Sequence, residues 1–290
     1  MKFSILKVAD INILLKTEEP HLSLIIDANH EPFCVADEEK IDFTINLIKY
    51  VPIEFAELPE VFSSKIILNE EEFIWKAMQN SKMEYVLLFY LHSHEKPSFA
   101  LQMSETNSWR LYTNVSTDQN KVNPLQYPLG TILLYYILLR NKGFILHGSG
   151  TFDGEKGRIF TGRSGRGKST ISQLWKDSGA MRIQDDRLII RKIDGKYFMF
   201  NSPMLVPEKS MKAPVDEVFF IYHAPQNETE QIPASKGFQN LLPNCVQHHF
   251  NEAFIQSFIS SINDFSGKVK FYDLGFVPDA SVVDFIKKLK

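Results

Sequence analysis

Short apolar runs fill the first third of the chain. "MKFSILKVADINILLK" alternates apolar and polar positions, which predicts strand. "HLSLIID", "DFTINLIKYV", "EYVLLFYLH" and "SFALQMS" read as further strands, rich in β-branched and aromatic residues. One helix is expected among them, over "EEEFIWKAMQ". Asn69 would cap it, and Glu70 to Glu72 would complement its positive start. Residues 1–118 therefore predict a strand-rich α+β domain without a catalytic motif. The polar stretch "STDQNKVNP", Ser116 to Pro124, ends in proline and reads as a linker.

From residue 124 to 290 the pattern changes. An apolar helix is expected near Tyr127 to Asn141, ended by Gly143. "FILHGSGTF" and "GRIFTG" follow as strands joined at Asp153-Gly154. "KSTISQLWKDSG" places Ile171, Leu174 and Trp175 on one helical face, with Gly179 as the cap. "MRIQDDRLIIRKIDGKYFMF" reads as strand, turn at Asp194-Gly195, strand. "DEVFFIYHA" and "KVKFYDLGF" are strands, and "NEAFIQSFISSI" is a helix. "SVVDFIKKLK" closes the chain as a helix with a Ser281–Asp284 capping box.

Composition narrows the function classes. The 290 residues are 44% apolar and 23% charged, as in ordinary globular chains. A net charge of −3 creates no basic field for nucleic acid or an anionic membrane. The longest apolar stretch, Leu129 to Leu139, is too short to span a bilayer, and the N-terminus lacks the apolar core of a signal peptide. A cytoplasmic location is expected. Cys34 and Cys245 form no disulfide framework or zinc pattern and read as reduced thiols. His92 and His94, two apart on an expected strand, share a face but have no further ligand nearby. His248-His249 precedes a helix and reads as solvated.

The sharpest chemical signal is "FTGRSGRGKSTIS". Gly162, Gly167, Lys168 and Ser169 fit G-x-x-x-x-G-K-[ST], the phosphate-loop (P-loop) pattern, between an expected strand and an expected helix. Gly162, Gly165 and Gly167 let successive amides turn inward, and the helix start adds a positive field. Arg163, Ser164, Arg166 and Thr170 complete the loop's surroundings. Lys168 would neutralise phosphate charge, and the Ser169 hydroxyl would join a Mg²⁺ shell. Transfer chemistry also needs carboxylates. Asp185 and Asp186 follow 17 and 18 residues after Lys168, far enough for one helix and a return strand. On an extended segment they would face opposite ways. His147, on the strand before the loop strand, is expected at the same sheet edge. Arg187, Lys209 and Lys212 are nearby cations, one of which could reach a γ-phosphate.

"LHGSGTF…GRIFTGRSGRGKST…IQDDRL" resembles the catalytic domain of the HPr kinase/phosphorylase family, within the phosphoenolpyruvate-carboxykinase-like P-loop group. The resemblance covers about residues 127–290. It implies a mixed, largely antiparallel α/β domain that binds ATP and Mg²⁺ at Gly162 to Ser169. Asp185 would be the catalytic base. Asp186 would support metal or base, with Ser169, Asp185 and Asp186 around the metal. His147 would lie near the transferred phosphoryl group. The implied activity is phosphoryl transfer to a hydroxyl, that of a serine, free or in a peptide or protein. A nucleotide-binding regulator of the same fold is the alternative. The family's Glu after the loop Ser is Thr170 here, and its downstream glycine-rich segment is absent after "FNSPM". HPr as acceptor and phosphorolysis are therefore not implied. The sequence leaves room for an oligomer.

Overall fold

A computed structural model describes residues 1–36, 40–68, 71–80, 84–91, 95–114, 120–203, 208–248 and 250–289. The architecture is mixed α/β with two large mixed sheets. The chain divides into two compact units, and the boundary falls between Leu134 and Tyr135.

The first unit begins as an antiparallel hairpin of β1 (Phe3–Val8) and β2 (Ile11–Lys16), turned through Ala9 and Asp10. β3 (Ser23–Leu24) pairs with β11 (Lys121–Val122) in a small sheet. The main sheet adds β4 (Cys34–Val35), β5 (Phe43–Lys49), β6 (Glu60–Leu68), β7 (Glu71–Gln79), β8 (Tyr85–Tyr90), β9 (Phe99–Gln102) and β10 (Ser108–Thr113). Its order is β4-β1-β2-β5-β10-β9-β8-β7-β6, parallel at β2–β5 and β5–β10 and antiparallel elsewhere.

β7 corrects the helix expected over "EEEFIWKAMQ". Glu, Met, Ala and Lys favour helix as isolated residues, but β6 and β8 pair with this segment on both edges. Phe73, Trp75 and Ala77 are buried at every second position, so a period of two describes it. Asn69 and Glu70 lie outside the described residues, as do His92, His94 and His249.

The helix α1 (Leu129–Arg140) is buried along almost its whole apolar run. Among the described residues, no helix is long and apolar enough to cross a membrane. Both cysteines are free thiols.

The second unit is organised around β12 (Gly143–Phe152). Along one edge β12 pairs with β13 (Gly157–Thr161). Along the other it pairs first with β15 (Arg187–Ile193) and then with β14 (Met181–Gln184). β16 (Lys196–Phe200) and β17 (Lys212–Pro214) extend the β15 side. β18 (Glu217–His223), β20 (Lys270–Phe276) and β19 (Glu228–Ile232) extend the β13 side. Among the described strands of this sheet, β13–β18 and β18–β20 run parallel and the other pairings are antiparallel. α2 (Lys168–Asp177), α3 (Ala234–Leu241), α4 (Glu252–Ser266) and α5 (Ser281–Lys287) complete the unit.

α2 shows why the sequence places its loop firmly. Ile171 and Trp175 are fully buried among Phe160, Phe219, Leu274, Phe276 and Val282. Burial of each stabilises the helix by about 1.5–3 kcal/mol. The helix stops where Gly179 takes φ +92°: its N–H reaches the Lys176 carbonyl, and the Ala180 N–H reaches that of Trp175. At α5 the expected capping box does not form. Asp279 accepts the Ser281 backbone N–H, and the Ser281 hydroxyl donates to the same carboxylate.

Candidate functional site

Three adjacent strands bring the sequence-predicted residues together. Thr161, the last residue of β13, pairs with Gly148 of β12. Arg187, the first residue of β15, pairs with His147. The glycine loop and the aspartates thus leave the sheet at one level, on opposite edges of β12.

Asp185 and Asp186 form a corner between β14 and β15. β14 ends opposite Gly150 and β15 starts opposite His147, so Gly148 and Ser149 face the corner. The Gly148 N–H donates to the Asp186 carbonyl at 2.9 Å. The Ser149 hydroxyl donates to Asp185 Oδ1. Asp186 has φ +97°, a left-handed conformation unusual for a residue with a side chain. This breaks the alternation expected of a straight strand, and both carboxylates line one cavity.

The two carboxylates differ in their surroundings. Asp186 Oδ1 lies 2.7 Å from His147 Nε2, and its Oδ2 accepts from Arg187 Nε at 3.3 Å. The hydrogen bond to His147 is the largest cause holding the Asp186 carboxyl below the usual carboxylate range. Burial opposes it, and the charges of His147 and Arg187 add to it. The His147 carbonyl is held by the Thr161 hydroxyl at 2.8 Å. Asp185 is held by Ser149 through one oxygen.

The loop leaves β13 at Gly162 and enters α2 at Lys168. Gly162, Gly165 and Gly167 all have positive φ. At Gly167 the value is +92°, and an added Cβ would lie 2.8 Å from Phe276 Cζ. Only glycine fits that close approach without displacement. The helical ladder begins with the Ile171 N–H on the Gly167 carbonyl. The amides of Lys168, Ser169 and Thr170 precede it, and Gly167 supplies no side-chain cap. These are the groups that suit an anion.

Lys168 is buried although charged. Its Nζ donates to the carbonyls of Gly162 at 3.0 Å and Arg163 at 3.4 Å. Burial lowers its pKa, opposed by the charges of Asp186 and Asp185. Lys168, His147, Asp185 and Asp186 line a cavity of about 390 Å³. Ser164, Gly165, Gly167, Ser169 and Thr170 form its loop side. Gly162, Arg163 and Arg166 stand outside that lining. The first two contribute their carbonyls to Lys168, and the Arg166 N–H turns back to the Arg163 carbonyl at 3.4 Å. Both arginine side chains are exposed.

Of the nearby cations, Arg187 touches the site through Asp186. Lys212 instead stands over the Phe198 ring, 4.2 Å from its centroid. Lys209 gives its carbonyl to Asn201. Sequence reasoning missed Ser149 and His223. His223, the last residue of β18, places Nε2 3.2 Å from the Gly165 carbonyl. Neither has a motif of its own, and the available signal is only their place beside "LHG" and at the end of "EVFFIYH".

Among the described residues there is no cluster of three or more His, Cys, Asp or Glu side chains arranged to hold a metal. The hard oxygen donors here, Ser169 with Asp185 and Asp186, fit Mg²⁺ nonetheless. That ion uses one or two carboxylates and fills its shell with water and phosphate oxygens.

No family model matches the chain. No curated protein matches it either. Among solved structures, it is similar to the HPr(Ser) kinase/phosphatase from Coxiella burnetii at 12% identity and a TM-score of 0.28. The match covers 49% of this chain and 90% of that one. This is a distant structural relation, and the case for function rests on the site.

Proposed function

We propose that the chain is an ATP-dependent kinase that transfers the γ-phosphoryl group to a hydroxyl, that of a serine, free or in a peptide or protein. The observation that carries this reading is one cavity lined both by Lys168 with its glycine loop and by the Asp185–Asp186 corner. A cradle alone would only bind. A carboxylate beside it can also accept a proton.

In this reading the loop amides and the start of α2 hold the polyphosphate. Lys168 neutralises charge that builds on the transferring group. Ser169, Asp185 and Asp186 would hold Mg²⁺, which when bound screens the phosphates. Asp186, pinned by His147 and Arg187, stays ionised and keeps the corner rigid. Asp185, held through one oxygen, takes the acceptor's proton. The acceptor oxygen bonds to the γ-phosphorus, the bridge to the β-phosphate breaks, and ADP leaves. Exposed Arg163 and Arg166 add positive potential at the mouth.

The test uses γ-labelled ATP with Mg²⁺ and a panel of serine-bearing acceptors, comparing wild type with Asp185→Asn. Loss of a general base typically lowers the rate about 10²–10⁴-fold. The expected result is labelled product from wild type, lost in the variant although nucleotide still binds to it. Nucleotide bound by both, and passed to no acceptor by either, would replace the kinase with a nucleotide-binding regulator.

A further inference from the structure

We infer that His223 is a positioning residue for nucleotide, holding the apex of the glycine loop through an N–H donated to Gly165. The inference rests on the nucleotide reading above but not on phosphoryl transfer.

Besides the Arg166 N–H on the Arg163 carbonyl, the loop has two sets of side-chain ties. Lys168 bonds the carbonyls of Gly162 and Arg163, at the loop's start. The apex is different. Gly165 has φ +78°, and a Cβ built there would meet nothing within 4 Å. The space on the Cβ side of that point is open. Its carbonyl is met instead by His223 Nε2 at 3.2 Å. A carbonyl oxygen only accepts, so this nitrogen carries the hydrogen.

His223 is itself held in place. It ends β18, which runs parallel to β13, so the ring emerges beside the strand that feeds the loop. Its imidazole stacks on Phe276, with centroids 5.9 Å apart and planes 25° from parallel. Phe276 is fully buried and also fills the space where Gly167 has no side chain. One buried ring thus backs both the start of α2 and the histidine that grips the apex.

The consequence follows from peptide geometry. In a trans peptide the carbonyl of one residue and the N–H of the next point opposite ways. Fixing the Gly165 carbonyl fixes the plane it shares with the Arg166 amide. Three glycines make this loop costly to order on binding, because glycine loses the most backbone freedom. A tie made before the ligand arrives reduces that cost.

Two substitutions separate the donor from the ring. His223→Phe keeps a ring over Phe276 and removes the N–H. His223→Gln restores an N–H at the position of Nε2 and removes the ring. Titration calorimetry with ATP·Mg²⁺ and with ADP, alongside thermal unfolding, gives the readout. One hydrogen bond corresponds to a change of about three- to tenfold in Kd. The expected result is that weakening for His223→Phe, near wild-type affinity for His223→Gln, and unfolding midpoints that do not follow the same order. Equal affinity in His223→Phe and wild type overturns the role of His223 alone. So does equal weakening in both variants, which would assign the effect to the ring. A wild-type chain that takes up neither nucleotide overturns the nucleotide reading itself.

Discussion

Replacing Gly167 by alanine tests the construction of the loop directly. Two costs fall on this one methyl group. At φ +92° and ψ 24° the backbone is left-handed, which costs a residue with a side chain about 1–2 kcal/mol. The Cβ would also stand 2.8 Å from Phe276 Cζ. Phe276 is fully buried beside Trp175 and Leu274, so its ring cannot swing aside. Forcing a methyl into such a core costs about 1–3 kcal/mol. Together Gly167→Ala should destabilise the second unit by about 2–5 kcal/mol. Gly165→Ala is the control: it has the same sign of φ, at +78°, with nothing in the way, so only the first cost applies. Urea unfolding followed by Trp175 fluorescence, with Trp75 and Trp109 replaced by phenylalanine, reports on the right part of the chain. With a slope of about 2 kcal/mol per M, Gly167→Ala should lower the midpoint by about 1–2.5 M. Adding Phe276→Leu should recover part of the difference from Gly165→Ala. Equal midpoints for the two alanine variants would refute the argument, because the Phe276 contact would then cost nothing.

Two further outcomes are expected. Burial already sets the Lys168 pKa below 10.5, and nucleotide needs its charged form, so affinity should fall on the alkaline side before an ordinary lysine titrates. Asp186 favours that charge, so Asp186→Asn should move the alkaline limb to still lower pH in Kd-against-pH profiles; a shift upward would contradict the assigned causes. At the opposite end of β13, Arg158 and Glu217 are buried and paired at 3.0 Å. Arg158 also pairs with Asp153 at 2.5 Å, and Lys156 holds Glu217 at 2.8 Å, so Arg158→Met chiefly strips Asp153 of its partner. It should cost about 3 kcal/mol in urea unfolding, and Asp153→Asn added to it should return part of that, whereas no recovery would argue against the ion pairs as the cause.

The strongest local signals in the sequence were those whose physics is local. The spacing of Ile171, Leu174 and Trp175 belongs to α2, and Gly179 ends it in the conformation glycine favours. The meeting of loop and aspartates was partly legible too, because one helix and a return strand separate them. The Asp186 conformation was not. It arises from β14 and β15 pairing with two stretches of the same strand, a long-range register that no local pattern encodes. His223 was invisible for a similar reason: its relevance depends on β18 lying parallel beside β13. At β7 the residues favour helix one by one, and only the two neighbouring strands overrule them. The alternation of Phe73, Trp75 and Ala77 was the available clue.

The two-part edge of β12 has an implication for redesign. β14 and β15 each pair with their own stretch of β12, so each strand flanking the Asp185–Asp186 corner has its own ladder to hold its register. New reactive groups could be grafted there, or a residue inserted, while the surrounding ladder stays in step. The fold would then serve as a socket in which the acid pair is an exchangeable part.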